Sequence, residues 1–192
     1  MLNQHWVLLG AAFGLIGSVR YATSTAVGEA RPNLVTWTLW ATAPLIAFAA
    51  QLDAGVGLPA VMTLSAGVGP TIVLITALST RHHYTDLRRS DRTCAALAVI
   101  ALVVWWGMGD APIAVVVAVA ADALAAAPTV VKAWKLPRTE NVLFYLLIGV
   151  GAVITLLTIT DWHPTTWIFV AYQITVCTVV IGVVTTRRRV VI

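Results

Sequence analysis

Apolar residues along the chain gather into seven long runs, approximately Trp6 to Ala26, Asn33 to Gln51, Leu58 to Thr80, Thr93 to Met108, Pro112 to Trp134, Asn141 to Thr160 and Thr165 to Thr186. Each approaches the roughly 17–25 residues that a helix needs to cross a hydrocarbon core about 30 Å thick. The runs are apolar throughout, without the alternation of lipid-facing and lumen-facing positions that a barrel strand requires, so they predict membrane helices. Short turns separate them: Arg31-Pro32-Asn33, Asp53-Ala54-Gly55-Val56-Gly57, Gly109-Asp110-Ala111-Pro112, Pro137-Arg138-Thr139 and Asp161-Trp162-His163-Pro164. Only the third connection is longer and strongly charged, and no soluble domain fits between the runs.

The distribution of charge turns seven runs into a topology. Basic residues occupy alternate connections: Arg31 in the first, Arg81, Arg88, Arg89 and Arg92 in the third, Lys135 and Arg138 beside Lys132 in the fifth, and Arg187, Arg188 and Arg189 in the tail. The intervening connections carry Asp53, Asp110 and Asp161. Seven crossings put all the basic residues on one side, and the positive-inside rule makes that side cytoplasmic, with the amino terminus outside and the carboxyl terminus in. Trp6, Trp105, Trp106, Trp162 and Trp167 then fall near the outer interface and Trp134 near the inner one, as an aromatic belt. No Lys or Arg precedes the first run, which is expected to remain as a helix and not to act as a cleaved leader.

Composition agrees: 59% of the 192 residues are hydrophobic and 10% charged, with a mean hydropathy of +0.89. So little polar surface cannot coat a water-soluble globule, and the expected address is a cell membrane, multi-pass, of the bacterial inner-membrane kind. The basic excess is topological, which argues against nucleic acid as a partner. Cys94 and Cys177 lie in separate apolar runs and read as small buried hydrophobes, so neither a metal nor a cofactor is expected.

The first three runs can be laid over the last three with the fourth as a spacer, matching Arg31 to Arg138, Val35 to Val142, Trp37 to Phe144 and Leu39 to Leu146. Three helices reverse the direction of the chain, and one more crossing lets a second triplet follow in the same sense. The expected fold is all-α: two parallel three-helix repeats joined by a linker helix (3+1+3). Residues 1–80 form the first repeat, 81–110 the basic inner loop and linker helix, and 111–192 the second repeat with its basic tail.

Pro128-Thr129-Val130-Val131-Lys132, then Lys135 and Pro137-Arg138-Thr139-Glu140-Asn141, resembles the PQ-loop pattern of SWEET-type sugar facilitators and, more distantly, of PnuC-type vitamin transporters. Thr129 stands where that family usually has Gln, and Tyr21 where its first-repeat proline would fall. The resemblance implies a facilitator that rocks two three-helix bundles around a central site, with prolines as hinges. Pro128 matches a hinge position, and Pro44 and Pro70 also interrupt helices; each removes a backbone donor. Static kinks are the competing reading of all three.

Polar groups within the runs are candidates for the site. Asp122 lies roughly 15 Å from Pro112 along a helix, near the membrane midplane, where a carboxylate needs a partner, a cavity or a solute. Arg20 is the basic residue within a run, and the equivalence of the first and fifth helices suggests that the two helices face each other and that Arg20 meets Asp122. That pairing reads either as a transport site or as a fixed salt bridge, and a snorkelling Arg20 is a third reading. Asn33, Thr36, Trp37 and Trp40 share one helical face, and Asn141, Phe144 and Tyr145 occupy similar positions in the sixth run. Trp rings stack on sugars or bases while amides bond their edges, but Asn33 and Trp37 read equally well as a cap and a belt residue. Gln173 and Tyr172 are further lining candidates, with interhelical hydrogen bonding as the alternative.

These residues fit a facilitator or secondary carrier for a small polar solute (sugar-, nucleoside- or vitamin-like), with the lipid bilayer as its other partner and homo-oligomerisation left open. The alternative is a non-transporting seven-helix receptor or scaffold, against which stand the short outer loops. A retinal pigment is excluded, because Lys132 and Lys135 both lie at an interface. An enzyme is not expected: no catalytic nucleophile and base are paired, His5 and His163 belong to the outer side, and His82-His83 to a basic loop.

Overall fold

A segment that cannot lend its backbone groups to water must satisfy them internally, and the apolar runs do so as α-helices. The computed structural model describes residues 2–53, 58, 60–84, 89–108, 111–160, 162 and 164–190. Those residues form α1 (Trp6–Ala26), α2 (Leu34–Asp53), α3 (Ala60–Thr80), α4 (Arg89–Met108), α5 (Ala111–Lys135), α6 (Val142–Thr158) and α7 (Pro164–Val190), with a 3₁₀ turn at Pro137–Thr139 before α6. The segments Trp6–Ala26, Val61–Thr80 and Trp167–Arg189 are each long and apolar enough to cross a membrane. The turn at Ala54-Gly55-Val56-Gly57, residues 85–88, Gly109-Asp110, Asp161 and His163 lie outside the described residues.

Hydroxyls inside these helices are satisfied locally. Thr42, Thr71, Thr76, Thr155, Thr175 and Thr178 each donate to the carbonyl four residues earlier, at 2.8–2.9 Å. A threonine can therefore face an apolar surround without an orphaned donor. The outside of the bundle is apolar: Ile16, Val19, Ile75, Leu78, Val103, Leu146 and Leu157 are all exposed. Exposure of so many large apolar side chains suits a surface covered by lipid.

The helices pack in a repeated pattern. α3 lies between α1 and α2, and α7 between α5 and α6; α1 packs on α6, α2 packs more lightly on α5, and α4 rests on α5 and α2. Gly10 and Gly151 bring α1 and α6 to backbone contact: a Cβ on Gly151 would meet the Gly10 carbonyl oxygen at 2.8 Å. Small residues permit this approach, and close approach is how helices adhere where lipid is as apolar as they are.

One end of the bundle collects the basic residues. Gly28 (φ 80°) closes α1 in the left-handed region. The turn that follows docks on its neighbours through Arg31 N–H to the Thr139 carbonyl (3.0 Å) and Tyr84 N–H to the Pro32 carbonyl (3.0 Å). α7 runs beyond the apolar span into its arginines. There Arg187 Nε donates to the Trp134 carbonyl (3.1 Å) and stacks on the Trp134 ring at 4.6 Å, and Arg188 Nε donates to the Pro137 carbonyl (3.1 Å). Cations at a helix carboxyl end also offset its dipole, so the helix is stable past the apolar run. Trp6 and Trp162 are exposed toward the other end, and the Trp105 and Trp106 side chains lie outside the described residues.

Candidate functional site

Between the two triplets lies a cavity of about 50 Å³. α2 contributes Trp40 and Pro44, α3 Ser65 and Pro70, α5 Asp122, α6 Phe144 and Tyr145, and α7 Phe169, Gln173 and Cys177. The space suits a few water molecules in this arrangement and is well below the few hundred Å³ of a usual small-molecule pocket. Of the residues expected at a site, Trp40, Asp122, Tyr145, Gln173, Pro44 and Pro70 are brought together here.

Asp122 is the charge in this cavity. The Trp40 indole N–H and the Tyr172 hydroxyl interact with its carboxylate, yet both are buried and neither completes a hydrogen bond. Among the described residues no basic side chain lines the space. The two prolines add acceptors: Pro44 and Pro70 lack the N–H that would bond the carbonyls of Trp40 and Ala66, four residues earlier, and both of those residues line the cavity.

Other expectations are corrected. Arg20 does not meet Asp122: its side chain is exposed, on the same side of α1 as Ile16 and Val19. Among the described residues α1 and α5 do not touch; α1 packs on α3 and α6 instead. Trp37 is neither a belt residue nor in the cavity. It is fully buried in an aromatic layer with Tyr21 (ring centroids 4.6 Å apart), Phe144 (5.1 Å) and Trp40 (5.6 Å). Asn33 is the cap of α2, accepting from Val35 N–H at 3.0 Å. Asn141 caps α6 through Phe144 N–H (3.3 Å) and donates across to Ser24 Oγ (2.8 Å). For Asn33 the capping reading prevails, and Asn141, expected to line a site, is a cap as well. Thr36 accepts from Thr129 Oγ1 at 2.9 Å, joining α2 to α5. Pro128 is buried one residue before that bond. His82 is no freely solvated loop residue, since its Nδ1 lies 3.0 Å from the Thr25 carbonyl.

Between the cavity and the basic end lies a polar cluster that the sequence reading passed over. Glu140, two per cent exposed, pairs with Lys132 at 2.5 Å and accepts from the Tyr21 and Tyr145 hydroxyls, each at 2.9 Å. Lys132, expected at an interface, is instead fully buried, and its Nζ also donates to the Arg31 carbonyl, while Arg188 Nη2 donates to the Glu140 carbonyl at 2.6 Å. α1, α5 and α6 are thus tied to one buried carboxylate, α7 to the backbone carbonyl of the same residue, and the α1–α2 turn to its lysine partner. Tyr145 therefore serves twice, its ring lining the cavity and its hydroxyl held by Glu140. An acid in a turn otherwise carrying Lys135 and Arg138 was the available signal. No protein-family model, curated protein or solved structure matches the chain.

Proposed function

We propose that the chain is a membrane facilitator or secondary carrier for a small polar solute, working by alternating access between two parallel three-helix repeats, α1–α3 and α5–α7, with α4 as linker. The amino terminus is outside and the carboxyl terminus cytoplasmic. Three observations support this reading. The packing order within one triplet is repeated in the other, and the contacts between triplets, α1 on α6 and α2 on α5, exchange when the triplets are exchanged. Basic residues gather at a single end, as the positive-inside rule requires of a cytoplasmic face. The observation that carries the function is the third: a largely apolar cavity that holds an intramembrane carboxylate and a few other polar groups, lined by both triplets, which is where a carrier of this plan holds its solute.

In this arrangement the route to the basic end is shut twice, first by the layer of Tyr21, Trp37 and Phe144 and then by the Lys132–Glu140 cluster. Opening to the cytoplasm has to part Trp37 from Phe144 and Lys132 from the Arg31 carbonyl. Uptake of sugars, nucleosides and vitamin-like solutes into proteoliposomes is the test, comparing the wild type with Asp122→Ala and Trp40→Leu. Solute flux that both substitutions reduce at least about tenfold is expected, the scale of one desolvated polar contact. Flux indifferent to both removes the site, and a stable protein partner with no flux of any solute favours the receptor or scaffold reading instead.

A further inference from the structure

The chemistry lining the cavity is one-sided, and that narrows the class of solute. Its acceptors are the Asp122 carboxylate, the amide oxygen of Gln173, whose NH2 can also donate, and the two backbone carbonyls, of Trp40 and Ala66, that Pro44 and Pro70 leave without a helical donor. Ser65 adds oxygen lone pairs, because its own proton is committed to the Ala11 carbonyl at 2.8 Å. The donors facing the carboxylate, Trp40 Nε1 and Tyr172 Oη, are neutral and make no completed bond. A carboxylate at this depth without a cationic partner is an unmet charge. Four aromatic residues, Trp40, Phe144, Tyr145 and Phe169, form much of the remaining wall, with Ile148, Val176 and Cys177 beside them. Aromatic rings attract a diffuse organic cation electrostatically, and that attraction strengthens where water is excluded.

We propose that the cavity binds small organic ammonium ions, the positive nitrogen lying beside Asp122 and its alkyl groups against the aromatic rings. This rests on the carrier reading for its transport consequence but not for binding. The cavity as it stands holds only a few waters, so binding requires the triplets to separate at α2 and α5, where their packing is lightest. Gln173 and the freed carbonyls then orient the polar substituent of the cation. An inorganic monovalent ion would satisfy the carboxylate but leave the aromatic wall without a role.

The test uses the purified full chain in detergent with choline as probe. The comparison is choline's uncharged carbon isostere, in which a tert-butyl group replaces trimethylammonium. Binding is read by calorimetry, and uptake of labelled choline is read separately in proteoliposomes. Choline is expected to bind at least about thirtyfold more tightly than the isostere, with Asp122→Asn removing that preference and Phe169→Leu weakening choline about tenfold. Both variants must melt near the wild type; should Asp122→Asn unfold, Phe169→Leu alone decides, since it alters no charge. Equal binding of choline and isostere, or choline binding indifferent to Phe169→Leu, overturns the proposal. So does binding of sodium ion in place of choline. Flux of a neutral sugar with no binding of choline overturns it while leaving the carrier reading intact. Asp122-dependent choline binding without flux of any solute supports the ammonium site and rejects the carrier.

Discussion

Glu140→Gln removes one charge from an ion pair whose two side chains are fully buried. The amide keeps an oxygen for the Tyr21 and Tyr145 hydroxyls, so the change isolates the loss of the anion. Among the described residues Lys132 is then left with the Arg31 carbonyl, a buried cation without a counter-charge. Breaking a buried pair from one side costs about 3–5 kcal/mol, because the partner's desolvation is no longer offset. Lys132→Met should cost less, since Glu140 retains both tyrosine hydroxyls and the Met stem fills the space of the lysine. The double variant, Lys132→Met with Glu140→Gln, buries no charge and should lie within about 1 kcal/mol of the wild type. Thermal unfolding in detergent reads the order: Glu140→Gln lowest, by on the order of 10 °C, then Lys132→Met, with the double variant recovered. A double variant less stable than either single variant would refute the idea that desolvation dominates this cluster. Single variants as stable as the wild type would mean that water reaches it.

Two further outcomes follow from packing. Gly151→Ala places a Cβ 2.8 Å from the Gly10 carbonyl oxygen, with backbone on both sides, and should destabilise by about 1–3 kcal/mol, whereas Gly182→Ala meets nothing within 4 Å and should be neutral or slightly stabilising. Melting curves of the pair compare them directly, and equal behaviour would deny the backbone contact between α1 and α6. Arg20→Gln, at an exposed position, should leave both melting temperature and solute flux unchanged within about 0.5 kcal/mol; a large loss of flux would restore it to the transport route.

How far each feature could be read from the sequence depended on what kind of information it carries. The apolar runs forecast all seven helices because span length is a one-dimensional property, and α1 begins and ends where its run does. Which face of a helix points inward is not one-dimensional. Arg20 and Tyr21 are neighbours in sequence, yet the first is exposed and the second fully buried. An apolar helix facing lipid on one side and helices on the other shows almost no amphipathic contrast, so depth along the axis could be counted and azimuth could not. Asn33 was ambiguous for another reason, because an amide that would hydrogen-bond a solute is equally suited to cap a helix, and Asn141, expected only to line a site, caps α6 by the same chemistry. Glu140 was overlooked because its partners come from α1, α5 and α6, which only the tertiary fold unites.

The two contacts between the triplets are related by exchange yet built differently, and the difference assigns them mechanical roles. At α1–α6 Gly10 and Gly151 put backbone against backbone, so that stretch has no side chains to rearrange and suits a pivot. At α2–α5 the contact runs through side chains, Leu39 against Ala121 and Ala125 and the single Thr129–Thr36 hydrogen bond, next to the cavity. Parting these costs little, so alternating access should open here. Hydroxyls 2.9 Å apart put their Cβ atoms near the separation a disulfide spans. With Cys94 and Cys177 first replaced by Ala, Thr36→Cys with Thr129→Cys should crosslink under oxidation and stop flux, and reductant should restore it. Ser24→Cys with Asn141→Cys, joined by a short bifunctional thiol crosslinker because the asparagine nitrogen lies one bond further from its Cβ than a sulfur would, offers the matching lock at the other seam and should leave most of the flux in place. Flux that survives the α2–α5 lock, or fails equally under either, would mean that the triplets do not turn about α1 and α6.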